Sequence, residues 1–280
     1  MWAIIGGSGF ESFDGVEELA AVKRDTPFGE ASSGLRKIRF KGVECLFLPR
    51  HGQHHELTPS EVNYRANIFA LKAAGVKKIV AISAVGSLKS ELPPGDLVVP
   101  SQYIDRTKGV RQVSYCGGGV VGHVSLAKPV WPLGAECVKT LAGDLSFKAH
   151  FAKTYVCIEG PYFSTQAESN TYRAMGADII GMTNFPEFAL AREAGIAYLP
   201  CCFVTDFDCW DDSIEHVTLQ EVLATMKKNN FKAVELIGKV MKANPSVDAS
   251  CIEGGLKSGL MTPPDRMTVE QRRVFEVICS

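Results

Sequence analysis

No run of lysine or arginine occurs in the 280 residues, and the formal net charge is -1. Nucleic acid or an anionic membrane surface therefore meets no general electrostatic attraction, and a polyanion partner is not expected. No apolar stretch reaches the length of a membrane span, and no charged n-region precedes an apolar h-region. Nine cysteines occur without a C-x-x-C pair, so reduced thiols in a cytoplasm fit the chain best. Cys201 and Cys202 sit together in an apolar run, where core packing outweighs redox or metal chemistry. Internal repeats and linker-like stretches are also missing. Hydrophobic residues make up 46% of the chain, enough for a real core. That length admits one large α/β domain or two smaller ones, and the lack of a linker favours one spanning 1–280, with the tail after Ala243 less defined.

What the chain does contain is a series of short apolar runs that end in polar residues. The apolar run Ile196 to Val204 ends in T-D-F-D-C-W, Thr205 to Trp210. In open α/β sheets ligands bind outside the carboxyl ends of strands, so Asp206 and Asp208 are candidates for substrate contact. On an extended backbone, residues two apart project to one side. Two carboxylates in a partly dry site separate in pKa, which leaves one able to serve as an acid. A polar turn that continues through Asp211, Asp212 and Ser213 accounts for the same residues equally well.

Trp2 to Ile5 runs into Gly6-Gly7-Ser8-Gly9, either an anion cradle with a Ser8 donor or an ordinary tight turn. Neither G-x-G-x-x-G nor a Walker loop is present, which argues against a dinucleotide-dependent oxidoreductase. Val43 to Leu48 leads to Pro49-Arg50-His51-Gly52, with His54, His55 and Glu56 behind. The Arg50 fork suits phosphate or carboxylate, whereas the histidine spacing fits no zinc pattern, so no metal is expected. Asn63 to Ala74 has helical spacing, and Ile79 to Ile82 reads as a strand followed by Ser83-Ala84-Val85-Gly86-Ser87. Leu97 to Ile104 reads as a strand, Lys108 to Val124 as an irregular loop ending near His123, and Thr154 to Ile158 as a strand. Thr165 with Glu168, Thr218 with Glu221 and Thr268 with Gln271 have the capping-box spacing of helix starts. Asp178 to Gly181 is a short strand before Met182-Thr183-Asn184-Phe185-Pro186-Glu187.

In this order, G-G-S-G, R-H-G, S-A-V-G-S, E-G-P-Y-F-S-T, G-M-T-N-F-P-E and T-D-F-D-C-W resemble the trimeric purine nucleoside phosphorylase family, from Ala3 to about Met241. The resemblance implies a three-layer α/β/α fold with a central mixed sheet, a homotrimer, and attack of inorganic phosphate on a nucleoside with no further cofactor. It implies 5'-methylthioadenosine as substrate, with adenine and 5-methylthioribose 1-phosphate as products. A broader purine nucleoside or 5'-methylthioinosine phosphorylase is the alternative, and a non-catalytic nucleoside-binding module the reading from another class. By matching position, Ser8, Arg50, His51, Ser83, Ala84 and Thr183 would hold phosphate. Met182 would lie along the ribose, Phe163 on the base, Asp206 would be the general acid at N7, and Asp208 would accept from the 6-amino group. Leu219, Val222 and Leu223 would line the 5' pocket, and His123 would come from a neighbouring subunit. Tyr162 stands where thioadenosine-cleaving relatives commonly carry Arg, a departure that touches a loop contact and no assigned catalytic role.

Overall fold

The computed structural model describes residues 1–210 and 219–280, with the backbone alone at Leu219 and Glu221. The elements in chain order are β1 (Trp2–Gly6), β2 (Val16–Ala21), β3 (Asp25–Thr26), β4 (Gly29–Glu30), β5 (Arg36–Phe40), β6 (Val43–Pro49), α1 (Tyr64–Ala73), β7 (Lys78–Ser87), β8 (Leu97–Arg106) and α2 (Pro132–Leu141). They continue with β9 (Ala149–Ile158), α3 (Gln166–Ala174), β10 (Ile179–Gly181), α4 (Asn184–Glu193), β11 (Ala197–Asp206), α5 (Leu219–Ala243), α6 (Ala249–Glu253), α7 (Leu256–Gly259) and α8 (Val269–Ile278).

The main sheet has the order β10-β9-β8-β11-β7-β1-β6-β5-β2 and is mixed: β1 runs parallel to β6 and β7, while β8 is antiparallel to β11. Strand β10 pairs with β9 and also antiparallel with β7, so that end of the sheet closes on itself. Strand β1 explains why the central strands read as unbroken apolar runs. Ala3 and Ile5 enter a core shared with α1, α4 and α8, whereas Trp2 and Ile4 enter a second core shared with α2 and α5. Both faces are covered, which is the burial that continuous apolar strands require. Each fully buried Leu or Ile, such as Leu236 and Ile237 of α5, contributes about 1.5–3 kcal/mol.

Several segments differ from the sequence expectation. Ser83 to Ser87 belongs to β7 instead of following it, because the pairings Ile179↔Ser87 and Ile180↔Gly86 extend the strand. The tail after Ala243 forms α6 and α7 ahead of α8, the helix that the Thr268 spacing marks, and Leu256, Phe275 and Ile278 join the core that α1 and α4 build. Strands β2 to β5 and helix α2 are additional to the elements expected from the sequence, and the short strands with charged faces lack a clear period. The capping boxes at Thr165 and Thr268 are present. Thr218 lies outside the described residues.

Candidate active site

A cavity of about 870 Å³ opens where β1, β6, β7, β10 and β11 end, with one wall from α5. The antiparallel pairing of β10 with β7 brings the chain after Gly181 back along Val85, Ala84 and Ser83. Met182 and Thr183 thereby line the same space as Ser83, 99 and 100 residues earlier in sequence. The cavity is lined by Ser8, Arg50, His51, Ser83, Ala84, Phe163, Met182, Thr183, Asp206, Asp208, Val222 and Leu223, all of which the motifs single out. Two expected residues are not among those that line it. The Leu219 side chain lies outside the described residues, and His123 is exposed on a loop where its backbone N–H donates to Gly259 O at 2.9 Å.

At one end the glycine turn after β1 presses against β7. A Cβ on Gly7 would come within 2.6 Å of Ile82 O and 3.0 Å of Arg50 Nη1, so only glycine lets this turn sit there. Arg50 is fully buried. Its Nε and Nη2 donate to Glu187 at 2.6 and 2.7 Å, and Nη1 donates to Ile82 O at 3.0 Å. Three of its five N–H groups are thus committed, leaving one on each Nη for an anion. Glu187, itself fully buried, also accepts from Tyr198 Oη at 2.7 Å. A buried charge pair with its remaining groups hydrogen-bonded is the arrangement a dry site tolerates.

His51 donates through Nδ1 to Leu57 O at 2.9 Å, a carbonyl partner that fixes the proton on Nδ1. Burial and the Arg50 charge lower its pKa to about 4, so the ring is neutral near pH 7. Its neighbour His55 stacks on it with centroids 4.7 Å apart and contacts Glu11 at 2.7 Å, which raises the His55 pKa. Ser83 Oγ donates to Asn184 Oδ1 at 2.9 Å, so its proton is turned toward Asn184. Asn230 of α5 donates through Nδ2 to Gly9 O, which ties the helical wall to the glycine turn.

At the other end β11 bulges between Val204 and Asp206, and Asp208 adopts a left-handed φ of 52°. The two acids therefore do not alternate on one extended strand. Instead Asp206 Oδ1 accepts the Asp208 N–H at 2.8 Å, closing an Asx turn. Both acids nevertheless line the cavity, over Gly86, where an added Cβ would lie 3.1 Å from Asp206 Oδ1. Burial pushes both carboxyls above their ordinary range, and the Asp206 charge adds to the shift at Asp208. Asp208 Oδ2 is buried and has no hydrogen-bond partner among the described residues. Phe163 is 69% exposed, a ring with an open face at the cavity rim and not a core side chain. Tyr162 turns away to Lys108, whose Nζ donates to its hydroxyl.

Glu187, Asn184, Glu11, His55 and Asn230 carry site geometry that the motifs did not assign. Only Glu187 left a signal: an acid between Pro186 and the apolar Phe188-Ala189-Leu190 must be paired if that helix is buried. Among the described residues no group of three His, Cys, Asp or Glu side chains is placed to hold a metal.

The cavity thus has a buried arginine beside a glycine turn at one end and two carboxyls raised by burial at the other. The model of the phosphorylase superfamily matches residues 2–241. An S-methyl-5'-thioadenosine phosphorylase of Rhodospirillum rubrum is 46% identical, over 98% of this chain and 94% of the relative. One of Aspergillus fumigatus is 42% identical, over 98% and 84%. A crystal structure of a methylthioadenosine phosphorylase from an antarctic soil metagenomic library superposes with a TM-score of 0.89 at 44% identity, covering 99% of this chain and 98% of that one. The methylthioadenosine phosphorylase of Schistosoma mansoni in complex with adenine gives 0.82 at 37% identity, covering 86% and 91%. The chain belongs to the phosphorylase superfamily, in the group of the S-methyl-5'-thioadenosine phosphorylases.

Proposed function

We propose that this enzyme cleaves 5'-methylthioadenosine with inorganic phosphate to adenine and 5-methylthioribose 1-phosphate. A phosphate oxygen bonds to the anomeric carbon as the bond to N9 breaks, and the electron pair leaves with the base. The ribosyl centre becomes cation-like and the base anionic, so groups aimed at those two charges lower the barrier. The remaining Arg50 N–H groups, His51, the Ser8 hydroxyl, Thr183 and the backbone of Ala84 hold phosphate. Ser83 joins them once its proton swings from Asn184. Met182 lies along the ribose and Phe163 covers the base.

The observation that carries the reading is the acid pair. Asp206, whose carboxyl burial raises above its ordinary range, delivers its proton to N7 of the departing purine. Asp208 Oδ2, buried and with no hydrogen-bond partner among the described residues, is an acceptor suited to the 6-amino group. A site built around such an acceptor penalises a 6-oxopurine, whose oxygen faces it. Val222 and Leu223 give the 5' substituent an apolar wall, which favours methylthio over hydroxyl. Phosphate is a co-substrate, and these protein groups carry the developing charge without a metal or organic cofactor. We further propose a cytoplasmic homotrimer, with His123 supplied to a neighbour's cavity.

Release of free base is measured from 5'-methylthioadenosine and 5'-methylthioinosine, with and without phosphate, in buffer containing EDTA. Phosphate-dependent adenine release well above hypoxanthine release is expected. Preference for the inosine form would keep the phosphorolysis and overturn the roles of Asp206 and Asp208. Dependence on an added metal would overturn the cofactor statement.

A further inference from the structure

Arg111 stands in the long loop between β8 and α2, and no site residue lies next to it in sequence. Its side chain is nonetheless buried and makes hydrogen bonds with every N–H it owns. Nε donates to Glu159 Oε1 at 2.7 Å, Nη1 to Met182 O and Phe185 O at 2.7 Å each, and Nη2 to Glu159 O at 2.8 Å and Ile158 O at 3.4 Å. The Glu159 carboxylate is equally occupied. Its Oε1 also accepts from Ser60 Oγ, and its Oε2 accepts the Lys108 N–H at 2.7 Å. The guanidinium further lies 5.6 Å from the centre of the Tyr64 ring.

These bonds join three segments: Ser60, which directly follows the cavity loop ending at Pro59, the end of β9 leading to Pro161 and Phe163, and the turn after β10 with Met182 and Thr183. None of the three is joined to the others by sequence. A saturated guanidinium has no donor left for a substrate, so its part in the chemistry is indirect. We infer that Arg111, with Glu159, is a positioning residue for phosphorolysis, setting the spacing between the base-side loop at Phe163 and the phosphate- and ribose-side turn at Met182 and Thr183. This rests on the function proposed above. A misplacement on the order of 1 Å costs on the order of a hundredfold in rate when reacting groups are held in line. Lysine does not replace this fork, because one ammonium cannot span acceptors on four residues.

The test is Arg111→Lys, which keeps the charge and removes the planar fork. In folded variant protein, KM for 5'-methylthioadenosine and for phosphate are each expected to rise at least fivefold, and kcat/KM to fall at least tenfold. A merely structural role lowers the melting temperature and the active fraction but leaves both KM values at the wild-type level, and that result overturns the inference. If Arg111→Lys does not fold, Glu159→Gln carries the test, with both KM values expected to rise at least threefold and wild-type values again overturning the role. Wild-type enzyme assayed alongside separates the two readings. Absence of phosphate-dependent cleavage there overturns the function and the role together, whereas normal wild-type cleavage with unchanged KM in the variant overturns the role alone.

Discussion

Asp206 accepts from the Thr205 hydroxyl at 2.7 Å and from the Asp208 N–H at 2.8 Å, and burial raises its carboxyl in spite of both bonds. Thr205 Oγ1 also lies 3.1 Å from Val85 O, and one hydroxyl proton serves only one of its two acceptors. When the hydroxyl donates to Val85 O instead, a protonated Asp206 donates its own proton to Thr205. An asparagine there does the same through Nδ2 while its oxygen accepts the Asp208 N–H. Asp206→Asn is therefore expected to leave the melting temperature at pH 7 unchanged or raised, since it removes a buried carboxyl whose pKa burial already elevates. The same change is expected to lower kcat/KM for 5'-methylthioadenosine by roughly 10² or more, the usual worth of general acid catalysis. Steady-state kinetics and thermal denaturation of one preparation check both halves, and full activity in the variant would remove the acid role. In the wild type the proton-bearing form is the active one, so kcat is expected to fall as pH rises through the elevated pKa, and Asp206→Asn to lose that limb.

Helix α5 combines two jobs along its length. Its C-terminal half buries Leu236, Ile237 and Val240 against the sheet, while its first turns present Val222 and Leu223 to the cavity. Leu223 is 54% exposed, so replacing it takes little from the core. Leu223→Ser is expected to change stability by less than about 0.5 kcal/mol. It is expected to reduce the preference for 5'-methylthioadenosine over adenosine by about tenfold, the scale of one or two methylenes in an apolar pocket. The ratio of kcat/KM values for the two nucleosides is the measurement, and an unchanged ratio would take α5 out of the 5' pocket.

For the molecule as a whole, His123 separates a monomer from an assembly. It does not line the cavity of its own chain. A rise in KM for 5'-methylthioadenosine on His123→Ala, with a solution mass three times that of the chain by light scattering, is expected. A monomeric mass or an unaffected KM rejects the shared site. Buried His51 makes the stability of the whole fold depend on pH. Its folded pKa is lowered from the usual 6.5 to about 4, so between those values the unfolded chain takes up a proton that the folded one refuses. Stability is thus complete above about pH 6.5 and is lost as pH falls toward 4, by up to about 3 kcal/mol from this group. Urea midpoints at pH 7 and pH 4.5 measure the loss, and His51→Gln is expected to diminish it.

The sequence by itself determined that strand ends carry the chemistry: apolar runs stop at Ser8, Arg50, Thr183 and Asp206 because a buried strand can hold polar side chains only where it emerges. Local signals also sufficed for the capping boxes at Thr165 and Thr268, since each depends on neighbours within a helical turn. Tertiary structure alone decided that Arg50 pairs with Glu187 and that Arg111 binds Glu159, Met182 and Phe185, because a buried cation finds its acceptors by proximity in space. It also overruled the extended geometry expected of Asp206 and Asp208. The β-bulge and the left-handed Asp208 replace strand alternation with a turn, and only the closure of β10 onto β7 places Thr183 in the same cavity as Ser83.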